Sequence, residues 1–200
     1  MNFDLQVRIL GRLGNAGVHR PATELLDLHQ RYISLLAKWN RTINLTSLEL
    51  DPPSDEAIDR LLVEPIAASA QAGAPETIID IGSGGGSPAI PFWIQLPGAR
   101  LTMVESRSKK CAFLREAVRQ IRPGEGTAVE GRFEDLLDQH PELAGSADIV
   151  TVRAVRLDVP TSRLIGALLK PVGRVFHFTH EFEVVDCSTW NNRYNGHRSS

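Results

Sequence analysis

The sequence is poor in cysteine, in long apolar runs and in net charge, and each shortage excludes a class of protein. Its two cysteines, Cys111 and Cys187, are too few for a disulfide framework, which indicates a reducing compartment. No apolar stretch approaches the roughly 20 residues that cross a membrane, and residues 1–17 lack the apolar core of a signal peptide. The net charge of −2 gives no overall basic signature for nucleic acid. We therefore expect a cytoplasmic protein without a membrane segment.

The rest of the sequence is organised around the stretch from Thr77 to Leu96. Thr77 to Ile81 is a short run with isoleucine at three positions, which is typical of a strand buried on both faces of a parallel sheet. Glycines at alternate positions follow, and Ala89 to Leu96 is predicted to form an apolar helix with Pro88 in its first turn. Strand, glycine turn and helix together let a nucleotide-like ligand approach bare main chain beside a helix N-terminus.

The spacing of these glycines distinguishes between ligands. A dinucleotide-binding turn has the pattern G-x-G-x-x-G, which would place a glycine at position 87. That residue is Ser87, and Gly82, Gly84 and Gly86 instead form the pattern G-x-G-x-G, which disfavours a nicotinamide-dependent enzyme. The pattern resembles the first motif of class I methyltransferases, which bind S-adenosylmethionine (SAM). A tight turn that binds no ligand is the alternative that the glycines alone leave open.

The remaining segments predict an α/β protein. After residue 100, short apolar runs alternate with helical segments, as in a mostly parallel sheet with helices on both faces. Lys170 to Gly173 is predicted as a turn before the fifth strand, and Val184, Val185 and Cys187 allow a sixth. An apolar stripe from Leu25 to Trp39 predicts an amphipathic helix that packs on another surface. We predict a class I methyltransferase (Rossmann-like) core over residues 76–200 and an N-terminal helical extension over residues 1–75.

Charged and aromatic residues follow the predicted strands at the edge where open α/β sheets bind ligands. Glu105 ends the second strand, where a carboxylate binds ribose hydroxyls or caps the next helix. Phe133 and Glu134 follow the third strand; a ring and a carboxylate there hold an adenine, or they pack in the core and begin a helix. Arg153 follows the fourth strand, predicted from Asp148 to Val152, and either binds a phosphate or the SAM carboxylate, or lies on the surface.

The helix predicted from Ser108 to Ile121 is basic on one face. Six cations against one acid occur from residue 107 to residue 122, a run that forms either a solvated face or a phosphate-binding surface. Cys111 falls among the apolar positions of the helix and is predicted to be a core thiol. His177 and His180 are predicted to point to opposite faces of a strand, and no further ligand completes a set, so we predict no metal.

Two longer motifs resemble one family. Lys38 to Thr46, KWNRTINLT, resembles the KWN-x-x-x-NLT signature of the 16S ribosomal RNA guanine-N7 methyltransferases, the glucose-inhibited division B family. Asp80 to Pro91, DIGSGGGSPAIP, resembles that family's SAM loop, DIGSGAGFPGIP. The resemblance covers residues 25–180 and implies SAM as cofactor and methyl transfer to N7 of one guanine in 16S ribosomal RNA or the small ribosomal subunit. It places these residues in the cofactor pocket: Gly82, Gly84, Ser87, Glu105, Phe133, Glu134 and Arg153.

Two positions differ from the pattern of that family. Ser87 stands where the loop has phenylalanine, and the RHFxDS stretch is Arg60 to Pro65 here, without its histidine. Guanine N7 carries an in-plane lone pair and no proton, so the transfer needs alignment and no general base. We therefore assign no catalytic residue and keep Arg153 as a candidate substrate or cofactor contact. RNA is expected to bind the basic helix together with Arg153, Arg156 and Arg163.

Two alternatives stay open at this point. A SAM methyltransferase that acts on a small molecule shares the motifs after residue 76, but it gives no reason for the segment from Trp39 to Thr46. A nucleotide- or RNA-binding module without catalysis is the second, because Ser87 and Leu61 depart from the family pattern. Nothing in the sequence implies an oligomer.

Overall fold

A computed structural model describes residues 3–179 and 182–195. Within them, one sheet has the strand order β3-β2-β1-β4-β5-β6. β1 to β5 pair in parallel, and β6 pairs antiparallel with β5. The strands are Thr77–Ile81 (β1), Arg100–Glu105 (β2), Gly126–Glu130 (β3), Ala147–Arg153 (β4), Leu169–Phe178 (β5) and Phe182–Asp186 (β6). The predicted α/β class with a mostly parallel sheet is confirmed.

Helices cover both faces of this sheet, and four of them come before β1 in the chain. Those before β1 are Phe3–Asn15 (α1), Thr23–Asn40 (α2), Asp55–Ile58 (α3) and Glu64–Ser69 (α4), with a π-helical turn at Asp59–Val63 that joins α3 to α4. Those after β1 are Ala89–Ile94 (α5), Ser108–Ile121 (α6), Leu136–Gln139 (α7), Val159–Leu168 (α8) and Cys187–Asn195 (α9). No helix of the described residues is both long and apolar enough to cross a membrane.

The alternation of side chains along the strands divides the core into two layers. On one face, Ile78 of β1 packs in a cluster with apolar residues of α1, α2, α5 and α6. On the other face, Ile79 and Ile81 pack with residues of α8 and with Trp190 of α9. The helices before β1 share the first layer, as the stripe from Leu25 to Trp39 predicted. The proposed division of the chain at residue 75 stays a prediction.

Three local predictions are wrong or fall outside the described residues. Lys170 to Gly173 lies within β5, where the pairing with β4 shifts register, instead of forming a separate turn. Cys187 begins α9 and does not belong to β6. His180 lies outside the described residues, and within the described ranges no group of three or more metal-ligating side chains occurs. Cys111 is fully buried, which confirms a core thiol.

Candidate functional site

The carboxyl ends of β1, β2 and β4 meet at one edge of the sheet. Ile81 pairs with Val104 of β2 and with Val152 of β4. The next residue of each strand is therefore Gly82, Glu105 or Arg153. β1 lies between β2 and β4: from β1 the chain first continues to β2 and β3 on one side, and then returns to β4, β5 and β6 on the other. Open α/β sheets bind ligands at such a switch point.

The glycine turn leaves main chain exposed at this edge. Gly82 and Gly84 have φ values of 69° and 51°, a region that side chains rarely adopt. A Cβ atom added to Gly82 would lie 2.8 Å from Val155 Cγ2, whereas one added to Gly84 would have no atom closer than 3.8 Å. The positive φ favours glycine at both positions, and Gly82 in addition has no room for a Cβ atom, whereas Gly84 faces open space.

Glu105 closes the turn from the neighbouring strand. Its side chain accepts a hydrogen bond from the Gly84 amide at 2.9 Å through Oε2 and one from the Arg107 amide at 2.9 Å through Oε1. Glu105 is only 8% exposed. Because each carboxylate oxygen has two lone pairs, these bonds leave acceptor positions for hydroxyl groups of a ligand.

A cavity of about 550 Å³ opens beside the glycine turn. Its walls come from two parts of the chain, the turn with the neighbouring strand ends and the helical segment before β1. The first part contributes Gly82, Ser83, Gly84, Gly85, Ser87, Glu105, Lys110, Arg153 and Ala154. The second contributes Leu36, Leu45, Thr46, Ser47, Leu48, Glu56, Arg60 and Leu61. Five of the predicted pocket residues line this cavity, namely Gly82, Gly84, Ser87, Glu105 and Arg153.

The helical segment before β1 holds the turn directly. The hydroxyl of Tyr32, which is fully buried on α2, donates a hydrogen bond to the Gly85 carbonyl at 2.7 Å. Asn40, at the end of α2, accepts hydrogen bonds from the amides of Leu45 and Thr46 at 2.8 and 3.0 Å and donates to the Thr46 carbonyl. Asn40 thus shapes the loop that forms one wall of the cavity, which explains the KWN-to-NLT spacing.

Arg153 joins the two parts of the cavity wall. Its guanidinium donates to the Arg60 carbonyl at 2.7 Å, to Ser87 Oγ at 3.1 Å and to Glu64 Oε2 at 2.5 Å. The group also lies over the Phe178 ring, 4.9 Å from its centroid, and its side chain is 12% exposed. Burial lowers the pKa of Arg153 and raises the pKa of Glu64. Arg153 is therefore largely an internal tie, and neither a surface cation nor an open phosphate ligand.

Ser87 takes part in the same tie. Its hydroxyl donates to the Leu61 carbonyl at 3.1 Å and accepts from Arg153. A phenylalanine, which the family has at this position, can make neither bond. Serine at position 87 therefore replaces a ring by a polar link between the glycine turn and the π-helical turn.

A second carboxyl group lies beneath the glycine turn. Asp80 of β1 is 1% exposed and accepts a hydrogen bond from Thr151 Oγ1 of β4 at 2.5 Å. Burial raises the pKa of Asp80 to about 6, because the charged form loses hydration. Asp80 does not line the cavity, so we treat it as a support of the turn.

Phe133 and Glu134 line a different cavity. This one has a volume of about 390 Å³ and is shared with Pro160, Thr161 and Arg163 at the start of α8. The two residues follow β3, whose end Glu130 pairs with Glu105 of β2, so they lie along the same edge of the sheet. The structure therefore separates the two candidate adenine ligands from the cavity at the glycine turn, and their role stays a prediction.

The basic helix is less available than its sequence suggested. Arg119 pairs with Glu116 at 2.7 Å, and Arg122 donates to the Ile94 carbonyl at 2.8 Å and packs over Trp93. Arg122 is therefore a structural cation, whereas Arg119 stays exposed and is paired with an acid of its own helix. Arg107 and Lys109 at the start of α6 are exposed, as are Arg156 and Arg163 after β4, and Lys110 lines the cavity itself.

Sequence reasoning missed Tyr32, Glu56 and Glu64. Tyr32 was one apolar position of a helical stripe, and nothing in that pattern shows that its hydroxyl contacts the turn. Glu64 lies 89 residues before its partner Arg153, beyond the reach of any local motif. Glu56 and Arg60 are four residues apart, a spacing that places side chains on one face of a helix and was a usable signal.

Comparison with known proteins adds to this geometry. The family model for "rRNA small subunit methyltransferase G" matches residues 26–195. The chain belongs to this family. The Ribosomal RNA small subunit methyltransferase G of Stenotrophomonas maltophilia (strain K279a) is 40% identical over 146 residues, which are 72% of this chain and 63% of that protein. The protein of the same name from Neisseria meningitidis serogroup C (strain 053442) is 33% identical over 79% of this chain and 74% of the relative.

Solved structures agree with the fold. A Methanococcus maripaludis protein assigned as an S-adenosyl-L-methionine-dependent methyltransferase superposes with a TM-score of 0.51 at 18% identity, over 72% of this chain and 61% of that one. A similarity at this identity shows the fold alone, which is that of class I methyltransferases. The match to the Stenotrophomonas relative spans less than two thirds of that protein's length.

Proposed function

We propose that this protein transfers the methyl group of SAM to N7 of a guanine in 16S ribosomal RNA. One observation carries the proposal. In a chain of the rRNA small subunit methyltransferase G family, the bare main chain of Gly82, Gly84 and Gly85 and the Glu105 carboxylate bound to it line one cavity at the switch point of the sheet.

The residues at this edge fit SAM. Glu105 is fixed by two amides and keeps acceptor positions for the two ribose hydroxyls. The glycine turn lets the ligand approach the main chain, since side chains are absent at Gly82 and Gly84. Phe133 and Glu134 are kept in the proposal as adenine contacts further along the edge. When bound, SAM supplies an electrophilic methyl group on a sulfonium.

The rest of the cavity fits a nucleobase that needs no deprotonation. The lone pair of guanine N7 forms the new bond to carbon while the bond from carbon to sulfur breaks, and the purine takes the positive charge that the sulfonium loses. The chain therefore has to orient the base, and the cavity walls supply the orienting groups from Thr46 to Arg60. In this proposal the motif from Trp39 to Thr46 has a role, because it shapes the wall from Thr46 to Leu48. A small-molecule enzyme would leave the motif without a role.

RNA affinity is assigned to exposed cations at the start of α6, after β4 and on α8, and to two cations that line the cavity. Arg107, Lys109, Arg156 and Arg163 are exposed, and Lys110 and Arg60 line the opening. Such contacts with phosphate weaken as salt rises. We include in the proposal that the natural substrate is the small ribosomal subunit, which contains this RNA. We also include that the protein acts in the cytoplasm, where the RNA occurs.

The test is methylation of 16S ribosomal RNA in vitro with methyl-labelled SAM, followed by nucleoside mapping. The proposal predicts label in 7-methylguanosine at a single position, in free RNA or in assembled small subunits. Calorimetry with SAM accompanies the assay. SAM binding without transfer to RNA would favour a small-molecule enzyme, and absence of both would favour a binding module; either result overturns the proposal.

A further inference from the structure

The cavity beside the glycine turn is lined by two carboxylates with different surroundings. Glu105 accepts hydrogen bonds from two main-chain amides. Glu56, in the first turn of α3, is exposed, and its side chain has no hydrogen-bond or ion-pair partner within residues 3–179 and 182–195. Glu105 is therefore fixed by the main chain and keeps its remaining acceptor positions for the ribose, whereas both oxygens of Glu56 are available to a second ligand.

We infer that Glu56 is a specificity-determining residue that reads the Watson–Crick edge of the target guanine. The inference rests on the proposed function. A methyl acceptor at N7 has to keep that lone pair free, which forbids the common arginine contact to O6 and N7. Guanine must then be identified at its other edge, where N1–H and the 2-amino group are both donors.

A carboxylate matches this edge. Its two oxygens accept hydrogen bonds and donate none, so they bind the two parallel donors of guanine. Adenine presents an acceptor at N1 in the same place, which a carboxylate repels. Enzymes that act on single bases read them by hydrogen bonds at this edge. With Glu56 on the Watson–Crick edge, N7 lies on the opposite side of the purine.

The main chain that carries Glu56 is fixed on both sides, and the side chain itself is exposed. Ser54 caps α3 by accepting a hydrogen bond from the Ala57 amide at 3.1 Å. Arg153 binds the Arg60 carbonyl at 2.7 Å, one helical turn after Glu56. Glu56 and Arg60 line the same cavity, four residues apart. Arg60 supplies a positive charge beside the acid, suited to the phosphate of the same nucleotide.

The test compares guanine with inosine, which keeps N7 and N1–H but lacks the 2-amino group. Once the methylated position is mapped, 16S ribosomal RNA with guanine or inosine at that position is made by splinted ligation. For the wild-type protein, loss of one hydrogen bond to a charged acceptor is expected to lower kcat/KM about tenfold to a hundredfold. Glu56→Ala is expected to act on both RNAs with nearly equal, reduced kcat/KM.

Two controls separate a reading role from a structural one. Glu49→Gln alters an exposed acid outside the cavity and is expected to keep the wild-type preference for guanine. The Kd of Glu56→Ala for SAM, measured by calorimetry, is expected to equal that of the wild type, which also reports intact folding. Unchanged preference for guanine in Glu56→Ala would overturn the inference alone. Absence of transfer by the wild-type protein overturns the proposed function and this inference with it.

Discussion

The two walls of the cavity are built in different ways. The glycine wall, residues 82–87 with Glu105, presents main-chain groups whose positions are fixed by φ angles and strand register. The helical wall, residues 45–48 and 56–61, presents side chains from the segment before β1. In the proposed function, the main-chain groups of the glycine wall recognise the methyl donor, and the side chains of the helical wall select the substrate. Four predictions test this contrast.

The largest effect is expected on the glycine wall. Gly84→Val places a branched side chain at a φ of 51° and projects it into the open space of the cavity. We expect binding of SAM to weaken by about a hundredfold or more, as measured by calorimetry. Gly98→Val is the matched control, because Gly98 has a φ of 89° and no atom within 4 Å of an added Cβ. Equal SAM affinity in wild type and Gly84→Val would remove the pocket assignment.

The tie between the two walls is expected to come next. Arg153→Ala leaves the half-buried Glu64 carboxylate without its cation and frees the Arg60 carbonyl. We expect the free energy of unfolding in urea to fall by about 4 kcal/mol, and methylation to fall with it. Arg193→Ala breaks an exposed pair with Glu183 and should cost less than about 1 kcal/mol. Similar losses in both variants would contradict an internal tie.

The support beneath the glycine wall should show in the pH dependence of stability. The pKa of Asp80 is about 6 in the folded protein, against an ordinary value of 3.8 that we take for the unfolded chain. The folded state therefore holds this proton over a pH range in which the unfolded state has lost it. From pH 4 to pH 6, wild type should lose about 2 kcal/mol of unfolding free energy relative to Asp80→Asn. If the unfolding free energies of wild type and Asp80→Asn changed in parallel with pH, the raised pKa of Asp80 would be refuted.

The smallest effect is expected where the helical segment touches the turn. Tyr32→Phe removes the hydroxyl that donates to the Gly85 carbonyl and keeps the buried ring. We expect a loss of about 1 kcal/mol in unfolding free energy and a weaker affinity for SAM, measured by urea titration and calorimetry. If stability fell while SAM affinity stayed constant, the segment would support the fold without shaping the glycine wall.

The same contrast explains what sequence could predict. β1, the glycine turn and α6 were predicted because their signals are local, and α6 has the bounds Ser108–Ile121 that its apolar face indicated. The contacts from Tyr32 to Gly85 and from Arg153 to Glu64 join residues 53 and 89 positions apart, and pairing at such distances has no local signature. The same limit applies to Phe133 and Glu134, whose separate cavity depends on where α8 packs.

The cations show a related limit. Counting charges from residue 107 to residue 122 predicted one basic surface, but the count cannot tell a free guanidinium from one that packs on a ring. Arg122 binds main-chain carbonyls over Trp93, and Arg119 is paired with Glu116. Burial and contacts with another helix, which are tertiary properties, separate Arg122 from the exposed Arg107 and Lys109, whereas the pair of Arg119 with Glu116 is local to α6.

A crystal structure of the protein with S-adenosylhomocysteine, the demethylated product of SAM, is the most direct test of the glycine wall. The account predicts the ribose hydroxyls on the Glu105 carboxylate and the ligand chain against Gly82 to Gly84, with its sulfur facing the helical wall. A product molecule bound away from this cavity, or a ribose that leaves Glu105 untouched, would contradict it.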